Sequence, residues 1–312
     1  MKKITVIGAG NVGATVANVI AHKDLAREIV LVDIKEGVAE GKALDIWQTS
    51  SIQNFNTRVV GVTNDYLRTK GSSIVVITSG VPRKPGMSRD DLIATNAGIV
   101  KEVTEKVIRY SPEAIIIVVS NPLDVMTYCA YLAANKDSRK VFGMAGILDT
   151  GRYRAFMANA LDVSPKDINA MLLGSHGDSM VPLPRYTSVA GIPVTELLNK
   201  EEIDKIVERT RKGGGELVTL MGTSAWYAPG AAAAQMVEAI VDNQRRIFPV
   251  CAYLQGEYGL KDVYVGVPVI LGSGGIEEII ELKLNKDETK MLKESADSVK
   301  SMMKALDDMK LF

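Results

Sequence analysis

The chain has 312 residues, 46% of them hydrophobic and 24% charged, with 37 basic residues matched by 37 acidic ones. Such a composition belongs to a globular chain with room for two domains, and zero net charge excludes a global field that would gather nucleic acid or an anionic membrane surface. The two cysteines, Cys129 and Cys251, stand far apart in apolar settings, so they read as small core residues of a cytoplasmic protein, not as a disulfide or metal site.

Lys2-Lys3 followed by small and apolar residues has the outline of a signal peptide. Asn11, Asn18 and three glycines interrupt it, however, and no cleavage site stands clear of His22-Lys23-Asp24. It reads instead as a buried strand and its helix. An apolar run (Ile4, Val6, Ile7) leads into Gly8-Ala9-Gly10-Asn11-Val12-Gly13, a helical pattern follows, and a second apolar run from Ile29 to Val32 ends on Asp33, twenty residues beyond Gly13. Each part has a use in gripping a dinucleotide. Gly8 permits a tight turn, Gly10 lets the backbone approach a pyrophosphate, and Gly13 lets helix and strand pack closely; the helix N-terminus offers free N–H groups to phosphate. Asp33 suits two ribose hydroxyls and repels a 2′-phosphate, which predicts NAD as the cofactor.

Further along, residues 36–50 carry apolar side chains near helical spacing (Val38, Ala43, Leu44, Trp47). Strands are predicted at 57–62, 73–78 and 114–119, with a long helix at 90–110. Continuous apolar strands separated by helices predict a doubly wound parallel α/β sheet, covered on both faces, over residues 1–145. Residues 146–312 read as a C-terminal α+β substrate domain. It has a helix after Asp149, a strand near 170–173, helices at 199–220 and 224–245, a glycine-punctuated strand pair from Val263, and a last helix at 287–309. On that helix Met291, Val299, Met302, Leu306 and Met309 share a face that reads as core packing.

Few residues could do acid–base chemistry. Of the two histidines, His22 ends the first helix beside Lys23 and Asp24 and reads as solvated. His176 lies in Gly174-Ser175-His176-Gly177-Asp178, where glycines admit a ligand. The loop from Gly80 to Arg89 follows the fourth strand at the edge where doubly wound sheets bind ligands. Its Arg83 and Arg89, taken alone, read better as solvated surface charges. Asp149 and Arg152 stand at the domain junction, and Ser120-Asn121-Pro122 ends the fifth strand with an amide suited to a hydroxyl or carbonyl. A dinucleotide-binding module without catalysis would need none of His176, Asp149, Arg152 or Arg89.

Taken together and in order, VIGAGNVG, SGVPRKPGMSR, VVSNPLDV, LDTGR and GSHGDS resemble the lactate/malate dehydrogenase family over essentially the whole chain. The resemblance implies NAD-dependent hydride exchange with a 2-hydroxy acid. His176 would be the acid/base and Asp149 would hold its imidazole. Arg152 would grip the substrate carboxylate, Arg89 would polarise the carbonyl and Asn121 would position substrate and nicotinamide. Gly8, Ala9, Gly10, Asn11, Val12, Gly13, Asp33, Asn96, Val119, Ser120 and Asn121 would form the cofactor site. Arg83, where lactate enzymes of the family carry glutamine, implies a dicarboxylate, the malate/oxaloacetate pair; lactate or another 2-hydroxy acid is the alternative. The resemblance also implies a homotetramer, with a homodimer as the fallback, and it likens helix 36–50 to one that pairs subunits. No nucleic-acid or membrane partner is expected.

Overall fold

The computed structural model describes residues 2–82 and 88–312. In chain order the first half runs β1 (Lys3–Ile7), α1 (Asn11–His22), β2 (Glu28–Asp33), α2 (Val38–Gln48), β3 (Arg58–Thr63), β4 (Ile74–Ile77), α3 (Arg89–Tyr110), β5 (Ile115–Val118), α4 (Leu123–Ala134) and β6 (Val141–Gly143). Helix α5 (Gly146–Leu161) opens the second half. Short two-residue strands, α6 (Lys200–Met221), α7 (Tyr227–Val241), β7 (Arg246–Gln255), β8 (Lys261–Gly272), β9 (Gly275–Ile279) and α8 (Lys286–Asp308) complete it.

Among the described residues, nine strands form one sheet in the order β9-β8-β7-β6-β5-β4-β1-β2-β3. The strands β1 to β6 pair in parallel, and the order reverses beside β1, between β4 and β2. That reversal opens a crevice at the carboxyl ends of the strands, where ligands sit in such sheets. Every side chain of β4 (IVVI) and β5 (IIIV) is buried, as a sheet covered on both faces demands. Each such side chain contributes about 1.5–3 kcal/mol through burial, and the stiff rotamers of these β-branched runs favour a strand over a helix.

The second half does not stand apart. Strands β7, β8 and β9 are antiparallel and extend the same sheet, β7 joining β6 at Cys251 opposite Gly143. A Cβ on Gly143 would lie 2.5 Å from the Thr127 hydroxyl, and one on Gly146 would lie 2.7 Å from Pro249, so the β6–α5 turn is pressed tightly onto β7. The expected strand pair and last helix are present, but β7 and the buried helix α4 go beyond the sequence reading. On α8, Val299, Met302 and Leu306 are buried as expected, while Met291 and Met309, the latter just past the helix end, are half-buried. Helix α2 packs through Ala39, Ala43 and Ile46, leaving Leu44 and Trp47 on its exposed side. Among the described residues, no helix is long and apolar enough to cross a membrane.

Candidate active site

Among the helices that begin at the carboxyl edge of the parallel strands are α1 after Gly10, α4 after Pro122 and α5 after Ala145. These three have no side-chain cap, whereas α3, α6 and α8 are closed by capping boxes at Ser88, Asn199 and Asn285. The first N–H groups of α1, α4 and α5 are therefore available to a ligand, with the positive ends of the helix dipoles behind them.

The β1–α1 turn is built as the glycines predict. Gly8 has φ +98° and donates its N–H to Val32 O at 2.8 Å. Gly13 lies so close beneath Gly8 that an added Cβ would meet the Gly8 carbonyl oxygen at 1.8 Å, while at Gly10 a Cβ would meet nothing within 4 Å. That open space is the cradle a pyrophosphate needs. Ala9 N–H donates to Asp33 Oδ2 at 2.6 Å and Lys35 N–H to Oδ1 at 2.9 Å, which aims the carboxylate and leaves each oxygen room for a ribose hydroxyl. These residues fit a bound dinucleotide.

Asn96 is 1% exposed. Its Oδ1 accepts Val81 N–H at 2.8 Å, and its Nδ2 donates to Val81 O at 3.1 Å and Asn121 O at 2.6 Å. Both amide protons are thus spent, so Asn96 lines the cavity as a clamp between the β4 and β5 loops. Ser120 Oγ adds a second tie, to Ser79 O. A cavity of about 290 Å³ bordered by Gly10, Val12, Gly80, Asn96 and Asn121 adjoins one of about 330 Å³ bordered by Asn121, Arg152, His176, Arg211 and Ser224; Val12, Val119 and Asn121 line both.

In the second cavity, Asp149 occupies the first turn of α5 and is 1% exposed. Its Oδ2 meets His176 Nδ1 at 2.8 Å and its Oδ1 accepts from Arg152 Nη1 at 3.2 Å. The bridge fixes the tautomer with Nδ1–H toward Asp149, so Nε2 is the nitrogen left for chemistry. Burial alone would push the His176 pKa down. The charge and hydrogen bond of Asp149, aided by Asp124 and opposed by Arg152, outweigh that and raise it above the ordinary 6.5. Arg152 Nε is buried without a partner, which leaves the guanidinium with donor capacity for a carboxylate. The His176 loop is pinned from behind by a Gly174–Gly266 bridge to β8 and by Ser175 N–H to Ser295 Oγ at 2.8 Å.

Not every expected residue joins this cluster. Arg89, the first residue of α3, donates to Met302 Sδ on α8 and does not border the cavity. Arg83 lies outside the described residues. Sequence reading missed Arg211, which borders the cavity, and Gly213, where a Cβ would meet Arg152 Cδ at 3.3 Å. The legible signal for the second was the run Gly213-Gly214-Gly215 inside a helix, where each glycine costs about 1 kcal/mol unless close approach requires it.

Residues 2–143 match the model for the lactate/malate dehydrogenase NAD binding domain, and residues 147–309 match that for the lactate/malate dehydrogenase alpha/beta C-terminal domain. The chain belongs to the lactate/malate dehydrogenase family. It is an NAD-dependent oxidoreductase. Among its relatives, a malate dehydrogenase of Cytophaga hutchinsonii is 64% identical over 305 residues, 98% of each chain, and one of Salinibacter ruber is 60% identical over 96% of this chain and 95% of that protein. The solved malate dehydrogenase of Salinibacter ruber superposes with a TM-score of 0.95 at 56% identity, covering 99% of this chain and 98% of the other. A lactate dehydrogenase of Cryptosporidium parvum, complexed with lactic acid and NAD, superposes with a TM-score of 0.94 at 39% identity, covering 98% of each chain.

Two alanine substitutions separate cofactor grip from fold in this family member. Gly10→Ala is expected to weaken NADH binding at least tenfold, measured by fluorescence titration, with an unchanged melting temperature, because its Cβ enters only the cradle. Gly13→Ala is expected to cost about 1–3 kcal/mol of stability through overpacking against Gly8, seen as a lowered melting temperature. Equal stability of the two variants would contradict the assignment.

Proposed function

We propose that the chain interconverts (S)-malate and oxaloacetate, with His176 as acid and base. The Asp149 bridge carries this reading: one buried carboxylate orients the histidine and the arginine together at a cavity that continues into the dinucleotide cradle. Bound NAD would supply the hydride acceptor, held by the Gly8–Gly13 turn and Asp33, with Val119, Ser120 and Asn121 lining the nicotinamide end. Arg152 grips the C1 carboxylate through its free donors. In reduction, His176 Nε2 gives its proton to the keto oxygen as hydride reaches the carbon; in oxidation it takes the proton back. Asp149 stabilises the imidazolium formed in oxidation. Arg89 polarises the carbonyl after leaving Met302, and Arg83 pairs with the C4 carboxylate. The malate dehydrogenases among the relatives support the dicarboxylate assignment.

An assembly of several copies belongs to the same reading. Leu44, Trp47, Ile52 and Tyr227 are 46–79% exposed, and an apolar groove of about 670 Å³ runs between α1, α5, α6 and α7. Exposed apolar area of this kind fits a covering copy. We propose a homotetramer built from dimers, with the plain dimer as the alternative; light scattering on the eluting protein measures it, and a monomer at micromolar concentration would refute both.

Two kinetic measurements test the chemistry. With NADH, kcat/KM for oxaloacetate is expected to exceed that for pyruvate by orders of magnitude. Loss of one charge-assisted bond worth about 1.5–3 kcal/mol in Arg83→Gln lowers the oxaloacetate value roughly tenfold to a hundredfold and leaves pyruvate nearly unchanged. A preference for pyruvate in the parent enzyme would instead make this a lactate dehydrogenase. The pH dependence follows from the raised His176 pKa. Reduction needs the protonated ring, so its kcat/KM is full at acid pH and falls as pH rises through a midpoint above 6.5; malate oxidation needs the neutral ring and climbs over the same window. In Asp149→Asn both midpoints should move downward. Profiles without these opposed limbs would remove His176 from the acid/base role.

A further inference from the structure

Asp124 is a buried carboxylate that the proposed mechanism does not use. It lies in the first turn of α4, three residues after Asn121, and is 2% exposed. Its Oδ2 accepts the main-chain N–H of His176 at 3.1 Å, across the junction between the two halves of the chain. Its Oδ1 is buried without a hydrogen-bond partner, save that the thiol of Cys251 on β7 faces the carboxyl as a donor. An acid buried with so little solvation is costly unless its charge is used.

We propose that Asp124 is a positioning residue for the catalytic histidine: it holds the His176 main chain at the cavity and, as a second negative charge close to this residue, favours the cationic form of the ring. This rests on the reading of His176 as the acid/base. The surrounding groups divide clearly. From α5, Asp149 favours the imidazolium and Arg152 opposes it; Asp178 follows in the same loop; Arg211 borders the cavity from α6; Cys251 approaches Asp124 from β7, and α8 contributes the neutral Ser295 hydroxyl. Asp124 is thus the one carboxylate that touches the histidine without also neutralising an arginine, among the described residues. Burial pushes its own carboxyl up to about 6, against the bonds from Cys251 and His176, so it is charged through most of the range in which His176 titrates.

With only two histidines in the chain, proton NMR of the imidazole Cε1–H signals of the intact enzyme without substrate reads this directly, and His22 serves as the internal control. Asp124→Asn keeps an acceptor for the His176 N–H and loses only the charge. Its His176 midpoint is expected to fall by about one pH unit, a tenfold drop in proton affinity, with His22 unmoved and the acid limb of kcat/KM for malate oxidation following it. Cys251→Ala leaves the fold's charges in place and removes the donor that favours ionised Asp124. It should shift the His176 midpoint the same way by a smaller amount. A folded Asp124→Asn with an unchanged midpoint overturns the proposal. If that variant does not fold, an unchanged midpoint in Cys251→Ala overturns it. The titration involves no substrate, so a preference for pyruvate would defeat the malate reading and leave this result standing.

Discussion

One buried carboxylate organises the candidate site. Asp149 has almost no contact with water, and an ion so placed without partners would cost several kcal/mol. Its two oxygens are shared between His176, from a loop 27 residues further on, and Arg152, one helical turn away. Removing either partner leaves one buried carboxylate oxygen unpaired, and removing the carboxylate leaves a guanidinium and an imidazole without the group that joins them. The three groups are therefore one unit, and its position follows from the first turn of α5, where the helix N-terminus itself favours a negative charge.

That turn can be placed so reproducibly because of the sheet beneath it. Helix α5 starts directly after β6, and the glycines there let β7 press against the turn from the other side. The His176 loop is tied to β8 at Gly174–Gly266. Both parts of this cluster thus hang from one continuous sheet, α5 from β6 and the His176 loop from β8 with β7 between them, and the parallel part of that sheet also carries the dinucleotide cradle. Hydride transfer needs two ligands held within a few tenths of an ångström of one another, and a shared sheet supplies that without a hinge between their anchors.

Much of this was legible, and the omissions have physical causes. Glycine turns with a fixed order of strand, helix and acid are readable because each glycine answers a specific steric need, and Asp33 emerges at the end of β2 as that order requires. Helix α4 escaped because its sequence, LDVMTYCAYLAA, is apolar on all sides; it is buried almost throughout and shows no amphipathic period. Strand β7 escaped because Pro249 falls inside it, and proline ordinarily argues against a paired strand; here it stands opposite Pro268, so neither residue owes the other an N–H. Asp124 was invisible for a related reason. An aspartate just after Asn-Pro reads as the start of a helix, and nothing local reveals that a main-chain N–H 52 residues away will come to rest on it.

The placement of Arg89 has its own logic on the proposed reading. The cavity already holds Arg152 and Arg211, and only part of Arg152's charge is answered, by Asp149. A further guanidinium lodged there permanently would be desolvated against like charges. On the proposed reading a dianionic substrate reverses the balance, since two carboxylates and a polarised carbonyl would call for more positive charge than Arg152 and Arg211 supply. Arg89, at the start of α3, is held outside the cavity by its contact with Met302 on α8. On that reading a monocarboxylate, lacking the second anion, would leave a further arginine in the cavity without a partner.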